Sequence, residues 1–173
     1  AASVDFDSTV AVDSNGLLVT AGTVDIDNAV TTTTNGVVTI TNSGLLTIAA
    51  TGDINADGAV TQNGAGNVST AGDIDTTNDD VGFATAVTLT GNVDIDTNTG
   101  AGNILFSSTI ATGGFALNLD GDAGGNVTII DAVSGGGAMT VRDGAVQSYA
   151  ALTVGSLDIL DATTSVTLGG DVA

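Results

Sequence analysis

A short acidic element recurs along this chain at a nearly constant interval, and that recurrence limits the available folds more than any other feature. It reads Val4-Asp5-Phe6-Asp7, Val24-Asp25-Ile26-Asp27, Gly72-Asp73-Ile74-Asp75 and Val93-Asp94-Ile95-Asp96, with a variant Gly52-Asp53-Ile54-Asn55 and a looser copy Leu157-Asp158-Ile159-Leu160. The first aspartates stand at 5, 25, 53, 73 and 94, so the intervals are 20, 28, 20 and 21 residues. A period of about twenty residues is the size of one β-solenoid coil with two or three short strands. The interval of 28 reads as a coil carrying an inserted loop at a corner.

Between these elements lie segments in which a turn is followed by alternating apolar and Thr positions, such as Asn15-Gly16-Leu17-Leu18-Val19-Thr20, Asn35-Gly36-Val37-Val38-Thr39-Ile40-Thr41 and Asn126-Val127-Thr128-Ile129-Ile130. Alternation over four to six residues bounded by Asn-Gly or Gly-Gly predicts short half-buried strands. Asn63–Gly66, Thr99–Gly102 and Ser134–Gly137 are Gly-rich and predict corners or loops. The fold class is therefore all-β, a parallel β-helix of roughly eight imperfect coils with Ile, Val and Leu inside and Asp, Thr and Asn facing water. At about 4.8 Å per rung such a rod is about 40 Å long. Asn-Gly also closes antiparallel hairpins, so an antiparallel β-sandwich fibre subunit is the rival architecture.

Composition agrees with strands. The chain is 42% hydrophobic but only 3% aromatic, so its core must be built from many small branched side chains. Its 25 Gly and absence of Pro fit a dense succession of turns and not a proline-rich linker. No interdomain linker interrupts residues 1–173, which read as a single repetitive β-domain. The opening AASVDFD and the final LGGDVA, mid-pattern, suggest a processed subunit or an excerpt of a longer chain.

Charge excludes whole classes of partner. With 20 acidic residues against one cation, Arg142, and no His, the formal net charge is −19. Nucleic acid is excluded, because phosphate binding needs basic side chains. An anionic membrane surface is disfavoured for the same reason, and no apolar run is long enough to insert into a bilayer. Without Cys there is no disulfide, thiolate metal site or thiol nucleophile. Self-repulsion at this charge density calls for cations, with calcium the leading candidate.

Where Gly-Asn-Val-Thr, Asp-Ile-Asp and Thr-Gly-Ala-Gly-Asn-Ile recur, the sequence resembles the repeat regions of large bacterial surface proteins. The nearest likeness is to filamentous-haemagglutinin-like and autotransporter-like adhesins. That resemblance is one of composition and period over about nine-tenths of the chain, and surface-layer proteins share the same bias. It implies a right-handed parallel β-helix, secretion to the extracellular space or bacterial surface, and adhesion or scaffolding, with cell-surface glycans as possible partners.

Candidate chemistry rests on oxygen ligands. In a strand, Asp-Ile-Asp puts both carboxylates on one face, so stacked repeats would line up Asp5/Asp7, Asp25/Asp27, Asp73/Asp75 and Asp94/Asp96 on a common side, as a row of calcium sites or a solvated acidic face. Asp53, Asn55 and Asp57, followed by Gly58, match the opening of an EF-hand loop, but position twelve is Gly64 and no helices flank it. The alternative there is an ordinary Asx-rich turn. Asp73, Asp75, Asn78, Asp79 and Asp80 pack the most oxygen ligands into eight residues, and a first bound calcium is expected there. Leu119–Asn126 reads as a Gly-rich corner.

Arg142 beside Asp143 reads as an exposed ion pair. With no Lys, His or nucleophile motif, the chain is expected not to be an enzyme. The expected role is an extracellular structural or adhesive element. No polar cap is visible at either terminus, so self-association or stacking on adjoining repeats of the same chain is expected. The competing role is a calcium-dependent carbohydrate- or ice-binding module, the latter suggested by the Thr39/Thr41 and Thr88/Thr90 spacing.

Overall fold

The computed structural model describes residues 2–143, 145–148, 150–160 and 165–173. Among them are 23 strands and no helix. The strands form three sheets of seven, eight and eight, and the chain visits the sheets in strict rotation. Each strand pairs in parallel with the strand one coil away, as in Val24 opposite Leu46 and Val38 opposite Val60. The molecule is a parallel β-solenoid and the antiparallel sandwich is not adopted. Seven coils carry all three strands. An eighth keeps Ser156–Leu160 and Val166–Leu168 but is reduced in the first sheet to a bridge at Leu152, which itself bridges Val172.

The core is a set of ladders. On the first sheet Val24, Leu46, Val68, Val87, Ile110 and Val133 stack in register and are buried. On the second, Val30, Ile54, Ile74, Ile95, Leu119 and Val141 do the same. Branched side chains suit this setting because each rung offers the same narrow slot above and below. Each fully buried Val, Ile or Leu contributes about 1.5–3 kcal/mol. The rings of Phe83 and Phe106 stack at 5.2 Å on neighbouring coils.

One expectation needs revision: not every Thr and Asn faces water. Thr32, Thr70, Thr76, Thr97 and Thr112, with Asn42 and Gln62, are buried. They sit where the chain leaves a strand for a corner, and their side chains satisfy backbone groups that the ladders cannot reach. Thr76 Oγ1 donates to the Asp79 carbonyl at 2.6 Å. Gln62 Nε2 donates to Asn42 Oδ1 at 2.8 Å, and the Gln62 amide oxygen accepts from the Ala84 N–H at 3.1 Å. Among the described residues no buried side-chain polar atom lacks a partner. The Gly-rich stretches at 63–66, 99–102 and 134–137 fall at three different corners.

The register also corrects the reading of the acidic repeats. Ser3–Phe6 and Thr23–Ile26 belong to the first sheet, whereas Ile54–Ala56, Ile74–Thr76 and Val93–Asp96 belong to the second. Asp25 lies opposite Thr47, and Asp53 comes six residues later on the next face. The interval of 28 is thus one coil plus one side of the triangle, and no loop is inserted. The Asp-Ile-Asp elements do not share a common side.

Candidate functional site

The outer surface of the second sheet carries the densest charge. Strand alternation sends Ile inward and its flanking residues outward, and the register stacks those residues into two rows. One row runs Thr31, Asn55, Asp75, Asp96, Asp120 and Arg142. The other contains Asp94, Asn118, Thr140 and Asp158 in register, and the same stacking sets Asp53 and Asp73 on the coils before Asp94. Successive members are about 4.8 Å apart. Register therefore gives Arg142 the Asp120 position of the coil before as its neighbour.

Three of these carboxyls are held above the ordinary aspartate range. For Asp75 the cause is first desolvation and then repulsion from Asp96, Asp73, Asp94 and Asp53. Asp94 is raised by desolvation and by Asp73 and Asp96, with Arg142 opposing. Asp120 is raised by desolvation against a lowering hydrogen bond from the Asp122 backbone, with Asp96, Asp143 and Asp122 adding repulsion.

The expected ligand residues are placed as follows. Ile54–Ala56 is a strand whose Ile54 and Ala56 are both drawn into the core, and Asp57 opens the bend that follows it. Asp53 and Asn55 flank Ile54 about 6.6 Å apart along the chain, and the neighbouring elements are strands where an EF-hand loop has helices. Several of these side chains bond across coils. Asp53 Oδ1 accepts from the Asp73 N–H at 3.0 Å, and Asp73 Oδ1 from the Asp94 N–H at 2.7 Å. Asp57 Oδ2 accepts from the Asn35 N–H at 2.9 Å. Asp80 Oδ1 accepts from the backbone and side-chain nitrogens of Asn103 at 2.7 and 2.9 Å. Asn78 takes a left-handed backbone with φ 65° at the corner, and Asp79 lends its carbonyl to Thr76. The segment 73–80 is thus split between a strand face and a corner.

The tightest gathering of acids lies elsewhere. Among the described residues, Asp5, Asp7 and Asp27 bring carboxylate oxygens within 4.8 Å of one another, all exposed, on the first two coils. Their sequence signal is the offset of 20 between Asp7 and Asp27, which matches the Asp5–Asp25 register. Asp5 is raised by desolvation and by Asp7, Asp27 and Asp25.

These shifts fix a sign for the pH dependence. A carboxyl whose folded pKa is raised binds more protons folded than unfolded, so its contribution is fully present below about pH 4 and is lost as pH rises through the folded value. Asp5, Asp75, Asp94 and Asp120 all act in this direction. Thermal unfolding followed by circular dichroism should give a higher midpoint near pH 4 than near pH 7.5 at low salt, and the gap should narrow in concentrated NaCl. A midpoint that rises with pH would contradict this account.

No family model matches the chain, and no curated protein and no solved structure matches it.

Proposed function

We propose that this chain is a non-catalytic extracellular structural element, a shaft or fibre segment of a surface adhesin or surface layer, that stacks end to end with cation assistance. The observation that carries the reading is the stacking itself, in which coils two to six each bond a parallel strand on either side in all three sheets. Among the described residues, the strands Ser3–Phe6, Val10–Val12 and Leu17–Ala21 each have one neighbour. Val4, Phe6, Val10 and Leu17 at that end, and Leu157 and Ile159 at the other, are only partly covered. Unpaired strand edges over an uncovered apolar layer favour further parallel coils, from a second copy or from adjoining repeats. Calcium enters because the acidic rows repel one another and a divalent ion offsets that repulsion. A role without catalysis is supported by the absence of Lys, His and Cys.

The test is electron microscopy of the concentrated protein with calcium and with a chelator, paired with melting under both conditions. The expected result is filaments that lengthen with calcium and a melting midpoint that falls on chelation. Dispersed single particles under both conditions would remove end-to-end assembly, and an unchanged midpoint would remove the cation.

A further inference from the structure

A trough of about 550 Å³ runs along the outside of the solenoid where the second sheet turns towards the third, crossing coils two to five. Its construction follows from the register. One wall is the outward row Thr31, Asn55 and Asp75. Two residues further along each coil, Thr33, Asp57, Thr77 and Asn98 form the facing wall. Between them the floor is Thr32, Ala56 and Thr76, all buried.

The floor is committed to the fold, and so are Asp57 and Asn98 in the facing wall. Thr32 Oγ1 donates to the Gly36 carbonyl and accepts from the Asp57 N–H, the latter at 3.0 Å. Thr76 Oγ1 is taken by Asp79. Asn98 is fixed by its side-chain nitrogen, which donates to the Thr76 carbonyl at 2.8 Å, and by its N–H, which donates to Asp96 Oδ1 at 2.6 Å. The trough is therefore held in shape before any ligand arrives.

Its chemistry selects a class of ligand. The walls offer hydroxyls, amides and two carboxylates, and the chain's one cation, Arg142, lies on the seventh coil, beyond the trough. Acidic sugars and phosphates are repelled. A neutral polyol satisfies the carboxylates by donating hydroxyl protons without bringing a charge. The wall groups repeat with each rung, about every 4.8 Å, and one unit of an extended glycan is close to that length. We propose that this trough binds a linear, neutral glycan laid along the solenoid axis. No aromatic ring lines it, so a single site binds weakly, and repeated copies along a fibre supply avidity. The proposal does not depend on end-to-end assembly.

The test is a nitrogen-15 amide titration of the whole chain with linear neutral probes, a cello-oligosaccharide and a manno-oligosaccharide, and with an oligogalacturonate as the acidic probe. A chelator is kept present so that no bridging cation takes part. At least one neutral probe should shift the amides of Asn55, Asp57, Asp75 and Asn98 saturably, while the acidic probe does not. Asn55→Ala combined with Asp75→Asn should weaken that binding about tenfold, the loss of one or two hydrogen bonds. Thr88→Ala, on the first sheet, should leave it unchanged, and amides distant from the trough report that each variant is folded. The proposal is overturned if neither neutral probe gives saturable shifts, if the acidic probe binds equally, or if the double variant binds as the parent does.

Discussion

Gly66→Ala is expected to destabilise the solenoid by about 4 kcal/mol, whereas Gly82→Ala is expected to be neutral or to stabilise it by about 0.5 kcal/mol. The two glycines differ in what lies beyond the missing side chain. A Cβ on Gly66 would fall 1.6 Å from the Gly44 carbonyl oxygen, on the coil before, and 2.8 Å from the Asn42 amide nitrogen. Neither neighbour can yield cheaply. The Gly66 carbonyl accepts from Asn42, Gln62 and Thr85 at 3.1, 3.1 and 2.7 Å, and its N–H donates to the Asn42 carbonyl at 3.0 Å. Forcing the coils apart there would leave several buried polar groups short of partners, each costing about 1–3 kcal/mol. A Cβ on Gly82, on the outer face of the strand Val81–Phe83, would meet nothing within 4 Å. Urea titrations of the two variants check the contrast, and equal stabilities would discredit the assigned role of the Asn42–Gln62 network.

Phe106→Ala is expected to cost about 4 kcal/mol and to divide a single unfolding transition into two. Phe83 and Phe106, both buried, lie on the fourth and fifth coils with rings stacked at an interplanar angle of 14°. Over the first six coils the other rungs of that column are Val19, Ile40, Gln62 and Ile129, so the two rings are its only aromatic pair and lie at mid-rod. Each coil of a solenoid touches chiefly its neighbours, so a cavity between the fourth and fifth weakens the coupling of the two halves. Denaturant unfolding followed by circular dichroism should show two steps where the parent shows one. One step with an unshifted midpoint would mean that the pair is not the coupling point.

The architecture was legible because period and alternation are local properties, carried by stretches such as Val37–Thr41 and the recurrent Asp-Ile-Asp. Which face each stretch occupies was not, because it depends on every corner length before it. Val30 pairs with Ile54 at an offset of 24 residues and Met139 with Leu157 at 18. That drift let Asp53 fall on the second sheet while Asp25 sits on the first, and it looked like an insertion. The same non-locality hid the cross-coil bonding of Asp53, Asp57 and Asp80, whose partners Asp73, Asn35 and Asn103 are 20 to 23 residues away. Within a window of eight residues none of these partners is in view. The buried Gln62 was illegible for a similar reason, since its partners Asn42 and Ala84 lie on the coils either side.

Because each strand bonds to the strand one coil away, the hydrogen bonds that hold successive coils together point along the long axis of the molecule. A pull on the two ends loads the outermost rung first. Each coil that peels away frees about 20 residues, or roughly 70 Å of extended chain, while the coils behind it keep their sheets. Tension is met by paying out thread from a spool, turn by turn, and not by the snapping of a taut cable.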